Sequence, residues 1–151
     1  MEHPTVTVTF IINDSSFKHT MTLDAIRKSG MIANILDDTG YNEGDEFMPI
    51  ILSGLNIQEK YQEKVVSIMV HLLNYLTTAN GEEFIKETID VSNEYENEEV
   101  DKMFNRLQFA YYSHIINVAN FLNVPSVFKY LVSKFAKIIR ERTQAKTAGA
   151  S

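Results

Sequence analysis

Strand periodicity is confined to the first third of this chain, and that limits the fold more than any other feature. Residues 5–12 alternate strictly, so Val6, Val8, Phe10 and Ile12 share one face of a β-strand. Asn13-Asp14-Ser15-Ser16 is turn chemistry, because short polar side chains there bond neighbouring backbone groups. Phe17 to Met21 reads as the return strand, joined by a turn longer than the tight two-residue type. Phe47 to Leu52 is a third short strand, and Pro49 assigns it to an edge or an interruption. Three short strands cannot make a sheet covered on both faces. The sequence therefore predicts an α+β domain, a small three-stranded sheet packed on a helical cluster.

The remaining periodicity is helical. Thr22 or Asp24 opens a short helix through Lys28, Ser29 caps a second, and Gly40 stops it. Tyr41 to Glu46 reads as a polar loop. The longest helix is expected over Gln58 to Thr78, where Tyr61, Val65, Met69, Leu72 and Leu76 recur every three or four residues and Asn80-Gly81 ends it. Met103, Phe104 and Leu107 follow, then a stripe of Ile115, Val118, Ala119 and Leu122. Pro125 begins a last helix with Val127, Leu131, Phe135 and Ile138 on one face, running to about Arg142. Gln144 to Ser151 reads as a flexible tail. One domain over 1–143 is expected.

Charge is unevenly placed. The chain has 151 residues and a net charge of −6. Between Asn80 and Asp101 nine acidic residues face a single base, Lys86, so that stretch carries −8 and the rest is close to neutral. Few apolar residues lie in it, and it reads as a flexible acidic loop at about 80–100. Nucleic acid is disfavoured as main partner, since phosphate binding needs a clustered basic surface. The bases Lys129, Lys134, Lys137, Arg140, Arg142 and Lys146 crowd the last helix. Favourable interaction with the helix dipole explains them, as would an acidic partner or the chain's own acidic loop.

Signs of chemistry are sparse. There is no cysteine, and the four histidines show no ligand spacing, so neither a disulfide nor a zinc site is expected. Neither G-x-G-x-x-G nor G-x-x-x-x-G-K occurs among the six glycines. Asp37-Asp38 and Glu82-Glu83 are adjacent carboxylates in polar segments, whereas acid–base catalysis needs carboxylates that converge across a pocket. The expectation is a chain that is not an enzyme and carries no cofactor. No signal peptide and no apolar run near the length of a membrane span is evident, which fits a cytoplasmic or nuclear protein.

Several segments resemble one family. Ala119-Asn120-Phe121-Leu122-Asn123-Val124 is similar to the A-N-[FY]-L-D-[IVC] signature of elongin C and the S-phase-kinase-associated adaptor. Ser29-Gly30-Met31-Ile32 with Leu36 and Gly40 resembles S-G-x-I-x-x-x-L-x-x-x-G, and Asn13-Asp14 falls where the family has S-x-D-G. Asp101 to Phe104 is similar to the D-x-E-F that follows the family's acidic loop. Pro125 to Thr143 aligns without a gap on the helices after the signature, with Ala136, Ile139 and Thr143 coinciding. The resemblance covers roughly residues 5–143 and departs from the signature at Asn123. It implies the BTB/POZ fold and an adaptor of a cullin–RING ubiquitin ligase, bridging a cullin to an F-box or elongin-binding-box receptor. It places Asn120 and Phe121 at the cullin contact, with Met48 and Pro49 nearby. Phe104, Ile115, Val124, Phe128, Leu131, Phe135 and Ile138 would face the receptor. A self-associating BTB/POZ scaffold, homodimeric and serving a kinetochore, chromatin or other assembly, is the alternative.

Overall fold

A computed structural model describes residues 4–42, 44–89 and 95–149, with backbone alone over 146–149. Two strands, β1 (Thr5–Ile12) and β2 (Ser15–Thr22), pair antiparallel from Thr5 opposite Thr22 to Ile12 opposite Ser15. The turn is therefore tight: Asn13 and Asp14 alone join the strands, and Ser15-Ser16, expected in a loop, already pair. Asn13 takes φ 54°, a conformation that asparagine tolerates better than most residues. β3 (Ile50–Ile51) shrinks to two residues and runs parallel to β1 on its other side, giving the order β2-β1-β3. Pro49 stands just before it and cannot donate to a ladder, which accounts for the short edge strand.

Val8, Phe10 and Ile12 point into the core while the threonines between them lie outward or half-covered, as the alternation requires. Thr22 caps α1 (Leu23–Ile26) and Ser29 caps α2 (Gly30–Thr39), each by accepting a backbone N–H. Gly40 ends α2 at φ 67°. The long α3 (Glu59–Tyr75) buries Val65, Val66, Ile68, Met69, Leu72 and Leu73. It touches β2 and α1 on one side and α6 (Ala110–Phe121) on the other, and α6 in turn carries α7 (Pro125–Gly149). Contacts thus run from the sheet to α3, from α3 to α6 and from α6 to α7.

Three further expectations need correction. Asn80-Gly81 does not end the long helix. That helix stops at Tyr75, the chain turns through 76–78, and Thr78 caps a new helix, α4 (Ala79–Glu87), with Gly81 in its first turn. The glycine is required by contact: a Cβ there would lie 1.9 Å from the carbonyl oxygen of Tyr75. The acidic stretch is likewise no solvated loop over most of its length. α4 and α5 (Glu98–Lys102) occupy it, pinned by Phe84 and Val100, both fully buried; of this stretch, 90–94 lie outside the described residues. A few well-spaced apolar anchors were enough to override a polar average. Finally, the expected tail from Gln144 is helical backbone, since α7 continues to Gly149. Residues 132–145 contribute no buried residue, so composition gave little notice of the later turns.

Candidate functional site

The signature segment and the Ser29 segment are in direct contact. α6 ends at Phe121 with Leu122 as its C-cap, Asn123 turns with φ 56°, and the Val124 N–H reaches the Ala119 carbonyl at 2.9 Å while the Asn123 N–H reaches that of Asn120 at 3.2 Å. These two bonds form a Schellman helix end, completed by apolar contact between the first and last residues of the motif. Ala119 and Val124, both buried, supply it. Onto this turn docks the N-terminus of α2. The Gly30 N–H donates to the Asn123 carbonyl at 2.9 Å, and the Met31 N–H to that of Leu122 at 3.2 Å. Ser29, fully buried, donates its hydroxyl to the Leu122 carbonyl at 2.6 Å while accepting from the Ile32 N–H at 3.2 Å. The approach is close at Gly30: a Cβ would sit 2.4 Å from Asn123 Nδ2, so that amide would have to swing aside, and 3.2 Å from the Asn123 carbonyl oxygen.

Most of the signature is therefore structural. Ala119, Leu122 and Val124 fill the core, and Asn123 satisfies a left-handed turn that asparagine adopts at modest cost. What remains for a partner is the exposed Asn120 and Asn123 side chains and Phe121, which is half-buried against the core rather than standing free. Met48 and Pro49 are exposed, Met48 by 57%. Met48 borders a cavity of about 210 Å³ with Ile35, Leu36, Thr39, Tyr41 and Phe47, where the Tyr41 and Phe47 rings meet edge to face at 5.6 Å. That volume is below the roughly 300–1,000 Å³ of small-molecule sites and suits a single side chain. Asn123 sits on the N-terminus of α2 and Met48 beside its last turns. Ten residues of helix span about 15 Å, so the two groups flank one helix and fall within the reach of a standard protein interface.

The receptor set divides differently. Phe104, Ile115, Val124 and Leu131 are at most 3% exposed and belong to the core, so they offer no surface to a partner as folded. Their apolar spacing reports packing, the commoner meaning of such a stripe. Phe128, Phe135 and Ile138 keep part of their surface, and Phe135 stacks on Phe109 with centroids 4.7 Å apart.

In another arrangement the opposed charges of the last helix and the acidic stretch were the sequence signal, while the tyrosines and the amide between them gave none. Asn97 caps α5 through Val100, donates its side-chain amide to the Tyr75 and Tyr95 hydroxyls at 2.9 and 3.1 Å, and donates its backbone N–H to the Tyr130 hydroxyl at 2.8 Å. Tyr130 donates to Asp101 Oδ1 at 2.8 Å. Burial, and next to it the interaction with Asp101, drive the Tyr130 hydroxyl well above its ordinary pKa, so it stays a donor at any physiological pH. Lys134 reaches Glu96 and, at 3.0 Å, Asp101; Lys137 reaches Glu96 at 3.0 Å. The hydrogen bond from Lys134, then that from Lys137, hold the Glu96 carboxyl below the usual range. Burial works against the charge on Lys134, but its two carboxylate partners outweigh this and raise its pKa. The basic helix thus engages the chain's own acidic segment at two of its lysines. Rings of Tyr75, Phe84, Tyr95 and Tyr130 pack around the same point.

Among the described residues no group of three or more histidines and carboxylates could hold a metal ion, and no helix is long and apolar enough to cross a membrane. In comparisons with known proteins, no family model and no curated protein matches the sequence.

Proposed function

We propose that this chain is a BTB/POZ-type adaptor, resembling the elongin C and S-phase-kinase-associated adaptor family, that bridges a cullin to a substrate receptor. It is read as a non-enzymatic subunit of a cullin–RING ubiquitin ligase acting in the cytoplasm and nucleus. The observation that carries the proposal is the junction between Ser29-Gly30-Met31 and Leu122-Asn123. Two stretches about ninety residues apart, each resembling the family independently, form one hydrogen-bonded unit. That unit leaves Asn120 and Phe121 at the surface at one end of α2, with Met48 and Pro49 near the other.

The test is affinity purification of the full chain from native extract with identification of stoichiometric partners. A cullin and an F-box or elongin-binding-box receptor are expected. Replacing Asn120 and Phe121 together by alanine should weaken cullin binding by about thirtyfold, the worth of an interface hot spot of roughly 2 kcal/mol. Full retention of the cullin by that double variant would remove Asn120 and Phe121 from the interface. The alternative is a self-associating scaffold, favoured by one feature: Ile51 on the edge strand β3 is 59% exposed beside Met48. Together with Met48, 57% exposed, it offers apolar surface that a second copy could cover. Light scattering giving a stable homodimer, with no cullin recovered, would select it.

A further inference from the structure

We propose that the cleft between Glu96 and the middle turns of α7 binds a phosphate group, free or as a small soluble monoester, and that Glu96 is its tethered occupant. Such a site requires neither a cullin nor a receptor. A cavity of about 110 Å³ is bounded there by Tyr95, Glu96, Ser133, Lys134, Lys137 and Arg140. At 100° per residue, Ser133, Lys137 and Arg140 fall within an arc of about 60° on α7. Lys134 falls on the buried side with Tyr130 and Leu131, and its side chain is only 17% exposed. Three cations and a hydroxyl are thereby gathered around one small space.

The chain's own carboxylate shows that this space takes an oxyanion. Lys134 holds one oxygen of Glu96, and Lys137 holds the other at 3.0 Å. Arg140 lines the same cavity, is exposed, and has no ion-pair partner among the described residues. Two carboxylate oxygens thus engage two cations and leave the third. A tetrahedral oxyanion has four oxygens, enough for both ammoniums, the Arg140 guanidinium and the Ser133 hydroxyl at once. Charge points the same way. With Glu96 swung into solvent the cleft holds three positive charges, offset by Asp101, which stays 3.0 Å from Lys134. A dianion fits that balance better than a carboxylate. Glu96 is 51% exposed, and ion pairs this open to water are weak enough to be exchanged. Its departure need not move the backbone, because the Asn97 N–H remains bound to the Tyr130 hydroxyl at 2.8 Å. The cavity is far below the roughly 300–1,000 Å³ of small-molecule sites, so it admits the phosphate group and leaves any carrier in solvent.

The test is a titration of the full, isotope-labelled chain with inorganic phosphate, at constant ionic strength and about pH 8, where the phosphate is a dianion. Backbone amide shifts at Glu96 and over 133–140 are the readout. Saturable shifts are expected. Glycerol phosphate should bind within about threefold of inorganic phosphate, and acetate, a free analogue of the Glu96 side chain, at least about tenfold more weakly. Glu96→Gln removes the charge of the occupant and should tighten phosphate binding about three- to tenfold, a gain that misfolding cannot imitate. Arg140→Gln should weaken it about tenfold with Tm unchanged. Lys64→Gln, which deletes an exposed cation of α3, should leave it unaltered. Phosphatidylcholine vesicles containing phosphatidic acid present the same group on a lipid. Absence of saturation, acetate binding as tightly as phosphate, unchanged affinity in Glu96→Gln, equal losses in Arg140→Gln and Lys64→Gln, or binding confined to the vesicles would each overturn the proposal.

Discussion

Ser29→Ala probes the junction on which the functional reading depends. The hydroxyl is fully buried and serves twice, as cap acceptor for the Ile32 N–H and as donor to the Leu122 carbonyl. Loss of a serine cap costs about 1 kcal/mol. Loss of the second bond costs about another 1 kcal/mol, held to the lower end because the Leu122 carbonyl retains the Met31 N–H. Alanine fits the space, so no steric term is added. The sum is about 2 kcal/mol, which for a chain of this length lowers Tm by roughly 4–8 °C. Urea unfolding followed by circular dichroism should show a reduced midpoint with an unchanged m-value. Because the same bonds fix the end of α6, the variant should also bind the cullin more weakly than its residual folded fraction accounts for. A stability change under about 0.5 kcal/mol would mean that the two segments are not held together by Ser29.

Three further outcomes follow from the packing. Gly81→Ala should unfold α4 or prevent expression of folded chain, since its Cβ would meet the backbone of Tyr75 and Leu76 with no side chain able to move aside; solubility and circular dichroism read this directly, and a native-like spectrum with unchanged Tm would contradict it. Tyr130→Phe keeps the ring against Phe84 but leaves the Asn97 N–H unpaired and removes one of the two donors to Asp101, Lys134 remaining, so a loss of about 1–3 kcal/mol is expected in urea unfolding. The ion cluster sets a pH dependence. Glu96 has a lowered pKa, so its contribution is complete above its ordinary value of 4.5 and is lost as pH falls through the lower folded value. Lys134 has a raised pKa, so its contribution is complete below 10.5 and is lost as pH rises through the higher folded value. Thermal unfolding across pH 3–11 should therefore flatten at both ends in Lys134→Met, by less than about 1 kcal/mol at the acid end because Glu96 is half-exposed.

Elements whose apolar period is strong were legible in the chain: β1, α2 with its Ser29 cap and Gly40 stop, α3, α6, and Pro125 at the start of α7. Two glycines with opposite duties show where local rules end. Gly40 is a helix stop, as expected, whereas Gly81 looks the same in sequence but answers to a backbone contact with Tyr75 that only the folded chain creates. The acidic stretch misled because average polarity hides single anchors such as Phe84 and Val100, and Asn97 is one more amide until three tyrosines converge on it. Of the residues assigned to partners, Asn120, Met48 and Pro49 lie at the surface and Phe121 partly so. Phe104, Ile115, Val124 and Leu131 do not, because core and interface residues share one periodicity and only burial tells them apart.

The central claim is that this chain joins two different proteins at once. It is tested most directly by light scattering on the complex purified from native extract, with subunits identified by mass spectrometry. One copy of this chain, one cullin and one receptor are expected in a single species. A homodimer of this chain free of any cullin would contradict it.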